Sequence, residues 1–564
     1  MADHDRALRE AVEMLRDGRI LATKGVGGFQ LMVDAANESA VAALRARKRR
    51  AEKPLALMVQ DIDEARRVCR IDGTEERVLL SPQAPILLAR RNEGRTEIAA
   101  GVAPRNPYLG IMLPSTPLHH ILMRDFGRII VATSGNLADE PLCIDEREAV
   151  DRLGSIADAF LVHNRPILRH VDDSIVRVML GRDMVLRRAR GFAPLPVLLP
   201  VDSPDMLAVG AHLKNTVAVV RGRSVFVSQH LGDLDTPTSV EAFQAEAAAL
   251  QELYAVAPER IVSDLHPDYL STTHAHSLGP PVVGVQHHYA HVASCMADNQ
   301  LDGRVLGVAW DGTGYGPDGT VWGGEFLLTD ERGWERVAAL RTFRLPGGDA
   351  AVREPRRTAL GLLVELEGPA ALRRSDLPLL ASFTQEERRV MTQMLERGFQ
   401  SPRTSSAGRL FDAVSAMLGI CMQSTFEGQG AMELEFALGT AATEGRYPIT
   451  VVQTDDGSYP HTVDWGPMIV EILADIGRRV PAREVSGRFH NTMVEAIVDV
   501  ARLIGERRVV LSGGCFQNAY LTERAVTRLR AEGFTPYWHQ RIPPNDGGIS
   551  LGQVYAAVRA TRGE

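Results

Sequence analysis

The sequence is short of cysteine, of lysine and of long apolar runs. Its five cysteines, Cys69, Cys143, Cys295, Cys421 and Cys515, stand far apart with no CxxC pair. That scatter excludes a disulfide framework and a structural zinc knuckle, and leaves small buried hydrophobes as the ordinary role. No stretch approaches the roughly 18 apolar residues of a membrane span. The opening residues, Met-Ala-Asp-His-Asp, are acidic with no apolar signal core behind them. A cytoplasmic protein with no membrane partner is the expectation. Only four of 63 basic residues are lysines, Lys24, Lys48, Lys53 and Lys214. All four fall in stretches that read as sites for other reasons, where a compact ammonium differs from a planar fork; chance retention explains the pattern equally well. Strong positive charge is also missing. Residues 1–200 carry 30 Lys+Arg against 27 Asp+Glu, or +3, and the rest 33 against 44, or −11. The first part can attract anions; the second is ill suited to nucleic acid, and no nucleic-acid partner is expected.

What is present is a globular make-up, 45% hydrophobic and 24% charged over 564 residues, enough for roughly two to four packed domains. The chain is organised around Val283 to Ser294, an apolar lead-in followed by His287, His288 and His291 and a run of small residues. If this stretch is helical, His287 and His291 project from one face with Cβ atoms about 5–6 Å apart. Farther on, Leu306 to Trp310 reads as a buried strand ending at Asp311 and a glycine turn, and Asp546 lies in a turn before the last helix. Two imidazoles and two carboxylates with open positions describe a Zn or Fe site better than a calcium cage. HxxxH by itself is more often a pair of ordinary helix histidines.

In chain order, residues 5–18 carry a helical period, and a strand from Ile20 runs into Lys24-Gly-Val-Gly-Gly-Phe29. A glycine turn after a strand lets backbone N–H groups approach a phosphate, although this one is neither Walker A nor GxGxxG. The helix from Glu38 to Arg50 ends in Arg45, Arg47, Lys48, Arg49 and Arg50, followed by Lys53-Pro54. Such a cluster is either a solvated helix end or an anion site. The strand from Ile129 opens into Thr133, Ser134 and Asn136, and Leu186 to Pro194 carries Arg188 and Arg190. Arginine, hydroxyl and amide groups at strand ends are what a triphosphate pocket requires. Pro194 to Pro204 is proline-dense and reads as a linker. The expected domains are therefore 1–198, a linker 199–206, and 207–564 in lobes of about 207–303 and 304–564. Strand, turn and strand from Leu207, then a helix from Val240 to Tyr254, are echoed by a second start at Arg304. Two similar beginnings imply duplicated lobes with a nucleotide or acyl-phosphate cleft. Thr358 to Leu418 is mostly helical, residues 449–463 read as an exposed β insertion, and Val509 to Asn518 is a buried strand ending in a glycine turn.

The ordered set Lys48-Arg-Arg, Lys53-Pro-Leu-Ala, Thr133-Ser-Gly-Asn, His163-Asn-Arg-Pro-Ile, Asp172-Asp-Ser-Ile-Val-Arg and Arg187-Arg-Ala-Arg-Gly-Phe-Ala-Pro resembles the YrdC fold family, whose members make carbamoyl-type adenylates from ATP. The second region resembles the tRNA threonylcarbamoyl-transfer subunit TsaD and, within that superfamily, the HypF family of hydrogenase-maturation carbamoyltransferases. The residues that carry this are His212-Leu-Lys-Asn-Thr, Ser228-Gln-His-Leu-Gly-Asp-Leu, Asp264-Leu-His-Pro-Asp-Tyr, Val285-Gln-His-His-Tyr-Ala-His, Asp311-Gly-Thr-Gly-Tyr-Gly, Gly323-Gly-Glu-Phe, Arg353-Glu-Pro, Glu427-Gly-Gln, Ser512-Gly-Gly-Cys-Phe-Gln-Asn and Asn545-Asp-Gly-Gly.

The resemblance implies an α/β fold: a YrdC-like twisted-sheet domain followed by a two-lobed actin/hexokinase-type, TsaD-like domain. It implies an ATP-dependent carbamoyltransferase that uses ATP with Mg and carbamoyl phosphate. Carbamoyl-adenylate and pyrophosphate would form in the first domain. The carbamoyl group would pass in the second to the C-terminal cysteine of a HypE-like acceptor protein, as a cyanide-ligand precursor. Lys24 and Arg190 are the expected catalytic cations of adenylation, with Lys48, Arg49, Lys53, Thr133, Ser134, Asn136 and Arg188 around the nucleotide. In the second domain the expected nucleotide contacts are Gly312, Thr313, Gly314, Gly323, Gly324, Asp412, Gly513, Gly514 and Asn518. His287, His291, Asp311 and Asp546 would hold Fe or Zn, and His288 is either a donor to substrate or a support for the ligands.

The family pattern begins with an acylphosphatase-like domain and two zinc motifs of four cysteines, and neither is found here. Either the chain is a natural or engineered truncation, or carbamoyl phosphate is consumed by the two remaining domains. O-carbamoyltransferases that modify a small-molecule hydroxyl combine the same two domains, but in the opposite order. A fused tRNA threonylcarbamoyl synthase would call for a basic second domain, which is −11 here.

Overall fold

The computed structural model describes residues 2–563 apart from 93, 95–97, 138–139, 332, 375–376, 440–442 and 455–456. The chain divides into two compact units, one of residues 1–197, 209–257 and 540–543, the other of 198–208, 258–539 and 544–564. Residues 209–257, expected with the transfer domain, thus pack in the first unit. The expected linker is a strand, Val197–Ala208. Val197 and Leu199 are buried and Leu198 is exposed. This alternation makes a strand, and proline is tolerated where no ladder N–H is needed.

In the first unit ten strands form one mixed sheet in the order Arg182–Arg187, Ile175–Met179, Ile86–Arg91, Tyr108–Met112, Leu57–Met58, Ile130–Ser134, Phe29–Asp34, Leu21–Lys24 and Ala159–Leu161, with Cys69–Arg70 beside Ile86–Arg91. Alternation sorts the side chains between two cores. Ala22, Leu31, Val33, Leu57, Ile111 and Val131 point to one face, packed with Val41 and Leu44 of the helix Glu38–Lys48. Leu21, Met32, Met58, Met112 and Ile130 point to the other, under the helices His4–Arg16 and Pro117–Phe126. Each fully buried side chain of this size contributes about 1.5–3 kcal/mol.

The second unit holds two sheets. Val197–Ala208 pairs in parallel with Arg260–Asp264, and that strand with Val282–Val285. The larger sheet runs Thr450–Gln453, His461–Asp464, Gly333–Leu340, Val321–Asp330, Val305–Tyr315, Arg508–Ser512 and Thr535–Trp538. Residues 449–463, expected as an exposed β insertion, include the largely exposed strand Thr450–Gln453 and the strand His461–Asp464, which extends the sheet by parallel pairing with Gly333–Leu340. Residues 455 and 456 of that reading lie outside the described residues. The histidine stretch is a helix, His287–Asp298, buried along its whole length and capped by the side chain of Gln286. Asp311 does not end its strand. Val305–Tyr315 runs on past it, with a register shift between Trp310 and Gly314. A bulge re-aims the side chains within it, which takes Asp311 out of the regular alternation. No helix among the described residues is long and apolar enough to cross a membrane.

Candidate functional site

Each unit carries one candidate site. In the first, the strand Leu21–Lys24 turns at Gly25–Gly28 into Phe29–Asp34. A Cβ on Gly27 would stand 2.2 Å from the Val171 carbonyl oxygen, so glycine is required there by close packing. The turn lines a pocket together with Ser115, His119, Ser134, Asp172, Asp173 and Arg190. Arg190 is clamped to Asp173 at 2.7 and 3.0 Å and also donates to the carbonyls of Gln83 and Ala84. Burial raises the Asp173 carboxyl against the pull of Arg190. His119 faces the same pocket with neither ring nitrogen partnered among the described residues. Burial and then Arg190 push its imidazole down to about 4, so it is neutral near pH 7.

Beside the pocket, Lys48 Nζ donates to the Ser134 carbonyl at 2.5 Å and to the carbonyl and Oδ1 of Asn136, both at 2.9 Å. Burial and the neighbouring Arg50 lower Lys48 to about 7. Arg50, absent from the sequence-derived set, donates to Thr133 Oγ1 at 3.1 Å. Its own pKa falls to about 10 through burial and Arg187. Four expected residues are placed otherwise. Lys24 is buried and paired with Glu146. Arg49 is the exposed C-cap of its helix, in the left-handed region. Lys53 is exposed. The Arg188 guanidinium donates to the carbonyls of Leu195 and Arg541.

In the second unit, ligand atoms of His287, His291, Asp311 and Asp546 all lie within 4.8 Å of one another, and all four residues are buried. Asp311 Oδ2 is 3.6 Å from His287 Nε2 and 3.3 Å from His291 Nε2, and Asp546 Oδ1 is 3.8 and 3.6 Å from the same atoms. His287 Nδ1 faces Asp264 Oδ2 at 2.7 Å, so that nitrogen carries the proton and Nε2 turns its lone pair toward the cluster. Gly514 N–H holds Asp311 Oδ1 at 2.9 Å, leaving Oδ2 for the histidines. Burial opposes charge on both ligand histidines, yet the surrounding carboxylates raise them, His287 well above its usual value. Two carboxylates aimed at two imidazole nitrogens, with His287 Nε2 buried and lacking a hydrogen-bond partner among the described residues, fit a divalent cation of the Zn or Fe class.

His288 stands outside the cluster. Its Nδ1 accepts from Gln286 Nε2 at 3.2 Å, which puts the proton on Nε2, a buried donor without a partner among the described residues. Burial and its two histidine neighbours hold it well below the usual range. Gly314 makes room for this pair, since a Cβ there would lie 2.4 Å from His288 Cε1. The remaining expected nucleotide contacts fall as follows. Gly312 and the exposed Thr313 lie along the bulge. The amides of Gly323 and Gly324 are 3.2 and 3.3 Å from Glu325 Oε1. Gly513 adopts φ +99° because a Cβ would meet the Trp310 carbonyl. Asn518 caps the following helix through Leu521 N and donates to His490 Nε2 at 2.9 Å. Asp412 pairs with Arg409 at 3.1 Å. Sequence reasoning missed Asp264, Arg50 and His119. Asp264 was visible as the polar exit of a strand and Arg50 as a member of the basic run that ends its helix; His119 had no signal of its own.

Comparison with known proteins adds the following. A family described as HypF Kae1-like domain matches residues 201–298, and one described as carbamoyltransferase, Kae1-like domain, second subdomain matches 307–553. A family described as telomere recombination matches residues 13–189. The carbamoyltransferase HypF of Synechocystis sp. is 42% identical over 574 aligned positions, covering 99% of this chain and 74% of the relative. A solved structure of full-length HypF in a phosphate- and nucleotide-bound form superposes with a TM-score of 0.93 at 39% identity, covering 99% of this chain and 73% of that one. Threonylcarbamoyl-AMP synthase of Vibrio cholerae is 28% identical over 155 residues, 26% of this chain and 80% of the relative.

Proposed function

The chain belongs to the HypF carbamoyltransferase family, and we propose that it works in two steps, one in each unit. In the first, a carbamate oxygen attacks the α-phosphorus of ATP, carried with Mg, and pyrophosphate leaves as carbamoyl-adenylate forms. In the second, the thiolate of the C-terminal cysteine of a HypE-like acceptor attacks the carbamoyl carbon. The carbon–oxygen bond to phosphate breaks, giving the S-carbamoyl thioester and AMP.

The observation that carries this reading is the four-donor convergence of His287, His291, Asp311 and Asp546 within 4.8 Å. These residues would hold the metal, and Zn or Fe, when bound, withdraws electron density from a carbamoyl or phosphate oxygen. The protein's own groups do the rest. Asp264 fixes the tautomer of His287, and Gly514 N–H fixes the turn of Asp311. His288 presents an Nε2–H donor to the carbamoyl group, being neutral and already accepting at Nδ1. In the first unit Arg190, Lys48 and Ser134 lie along the glycine-turn pocket and its edge, where cations and hydroxyls offset charge developing on pyrophosphate.

The test is to supply ATP with carbamate or carbamoyl phosphate, resolve the nucleotide products, and follow by mass spectrometry a peptide ending in the acceptor cysteine. AMP and pyrophosphate with a carbamoylated cysteine is the expected result. ADP and phosphate would overturn the adenylate step; AMP with an unmodified peptide would overturn the acceptor assignment in favour of a small-molecule hydroxyl.

A further inference from the structure

The helix Ala407–Met417 begins against the metal-ligand strand. Ser406 caps it by accepting from Arg409 N, and its hydroxyl is shared between the carbonyls of Asp311 at 2.7 Å and Gly312 at 2.8 Å. From the first turn of this helix the side chain of Arg409, 5% exposed, reaches back along the same edge. Its Nη2 is 3.1 Å from Asp412 Oδ2, and it stands 3.4 Å from where a Cβ on Gly312 would be. Its Nε and Nη1 are buried and have no hydrogen-bond partner among the described residues. A guanidinium presents five donors, and unpaired donors on a buried charge are costly. One carboxylate does not satisfy this one, because Asp412 itself is buried and also accepts from the backbone N–H of Ala431. A buried planar fork, a helix N-terminus and a glycine edge beside Asp311 make a receptor for a tetrahedral oxyanion, which pairs with arginine through two parallel bonds.

We propose that Arg409 grips the phosphate of the acyl-adenylate in the second unit and takes up the charge that this phosphate gains as AMP departs, with Asp412 as its positioning residue. The proposal rests on the two-step reading above and adds Arg409 beside Asp412, which the sequence had given as a nucleotide contact. When the carbon–oxygen bond breaks, its electron pair goes to the phosphate oxygen, so the guanidinium bonds strengthen at that moment and accelerate the chemical step.

The experiment uses the metal-loaded full chain and its Arg409→Ala, Arg409→Lys and Asp412→Asn variants. Four quantities are read: metal content, ATP/pyrophosphate exchange, transfer to the cysteine peptide, and calorimetric binding of AMP as the probe. Arg409→Ala should lose an AMP-binding component of the parent and slow transfer by about 10²–10³-fold, with exchange and metal content held. Added guanidinium ion should restore part of the transfer. Arg409→Lys and Asp412→Asn should fall between parent and Arg409→Ala. Unchanged AMP affinity and transfer in Arg409→Ala would overturn the proposal. If that variant does not fold, the same unchanged values in Arg409→Lys would do so. Failure of the parent to modify any cysteine peptide would instead sink the two-step reading, and the AMP arm would still decide the phosphate grip.

Discussion

The two units arrange charge at their candidate sites by opposite means. In the first, cations are many and mostly spent on the protein's own groups: Lys48 on Ser134 and Asn136, Arg190 on Asp173, Arg188 on two carbonyls, and Lys24 on Glu146. In the second, the centre is two carboxylates and two imidazoles whose facing atoms stand 3.3–3.8 Å apart, with Arg409 nearby, its Nε and Nη1 without a hydrogen-bond partner among the described residues. A cation held by carbonyls is already oriented and loses little freedom when ligand arrives. Clustered carboxylates call for added positive charge, which a divalent ion supplies. On the two-step proposal, the first site would be a preset anion cradle and the second would be completed by a cation.

The sharpest way to break this division is to exchange the damage. Asp311→Ala should strip the metal and reduce transfer by about 10³-fold or more while ATP/pyrophosphate exchange stays within a few-fold. Lys48→Ala should cut exchange by about 10²-fold and leave metal content intact. Equal loss of both activities in either variant would mean that the steps are not separately housed. A finer cut is Asp264→Asn, which keeps the shape but weakens the acceptor behind His287. Metal affinity should fall about 10–100-fold, measured by competition with a chelator, and an unchanged affinity would remove Asp264 from the site.

The smallest effect is one of pH. Lys48 is lowered from 10.5 to about 7 by burial and Arg50, so its cation is lost from the free enzyme as pH rises through about 7. The exchange kcat/KM for ATP should decline above that point, and Lys48→Arg should flatten the decline. The linkage has the opposite sign for stability. Between about 7 and 10.5 the unfolded chain binds more protons at this lysine than the folded one, so this group's contribution to stability grows with pH across that window. A falling contribution, measured against Lys48→Met, would contradict the placement of Lys48.

Much of the second site was legible because its pieces obey local rules. The i,i+4 spacing of His287 and His291 requires only a helix, and a polar cap at Gln286 with small residues following provides one. Asp546 sits in the expected turn before the helix Ile549–Gly563. The first site was harder to read. A basic run such as Arg45 to Arg50 says nothing of which guanidinium turns inward. Arg45 is spent on the carbonyls of Gly101 and Val102, Arg49 is exposed, and Arg50 reaches Thr133. Proline density misread Val197–Ala208 as a linker, because proline forbids a ladder bond at its own nitrogen and leaves the strand's alternation untouched.

The amino-acid order by itself determined most of the elements, the two α/β regions and the residue types at each candidate site, since periodicity, capping and glycine turns act over a few residues. Only the tertiary structure decided which of those residues meet. The bulge at Trp310–Gly314 turns Asp311 toward the histidines, and packing brings Asp546 from the far end of the chain to within 3.8 Å of His287. The first turn of a distant helix leaves Arg409 buried beside Gly312, its Nε and Nη1 unpaired among the described residues. Such encounters depend on how whole sheets and helices stack, and no local spacing encodes them.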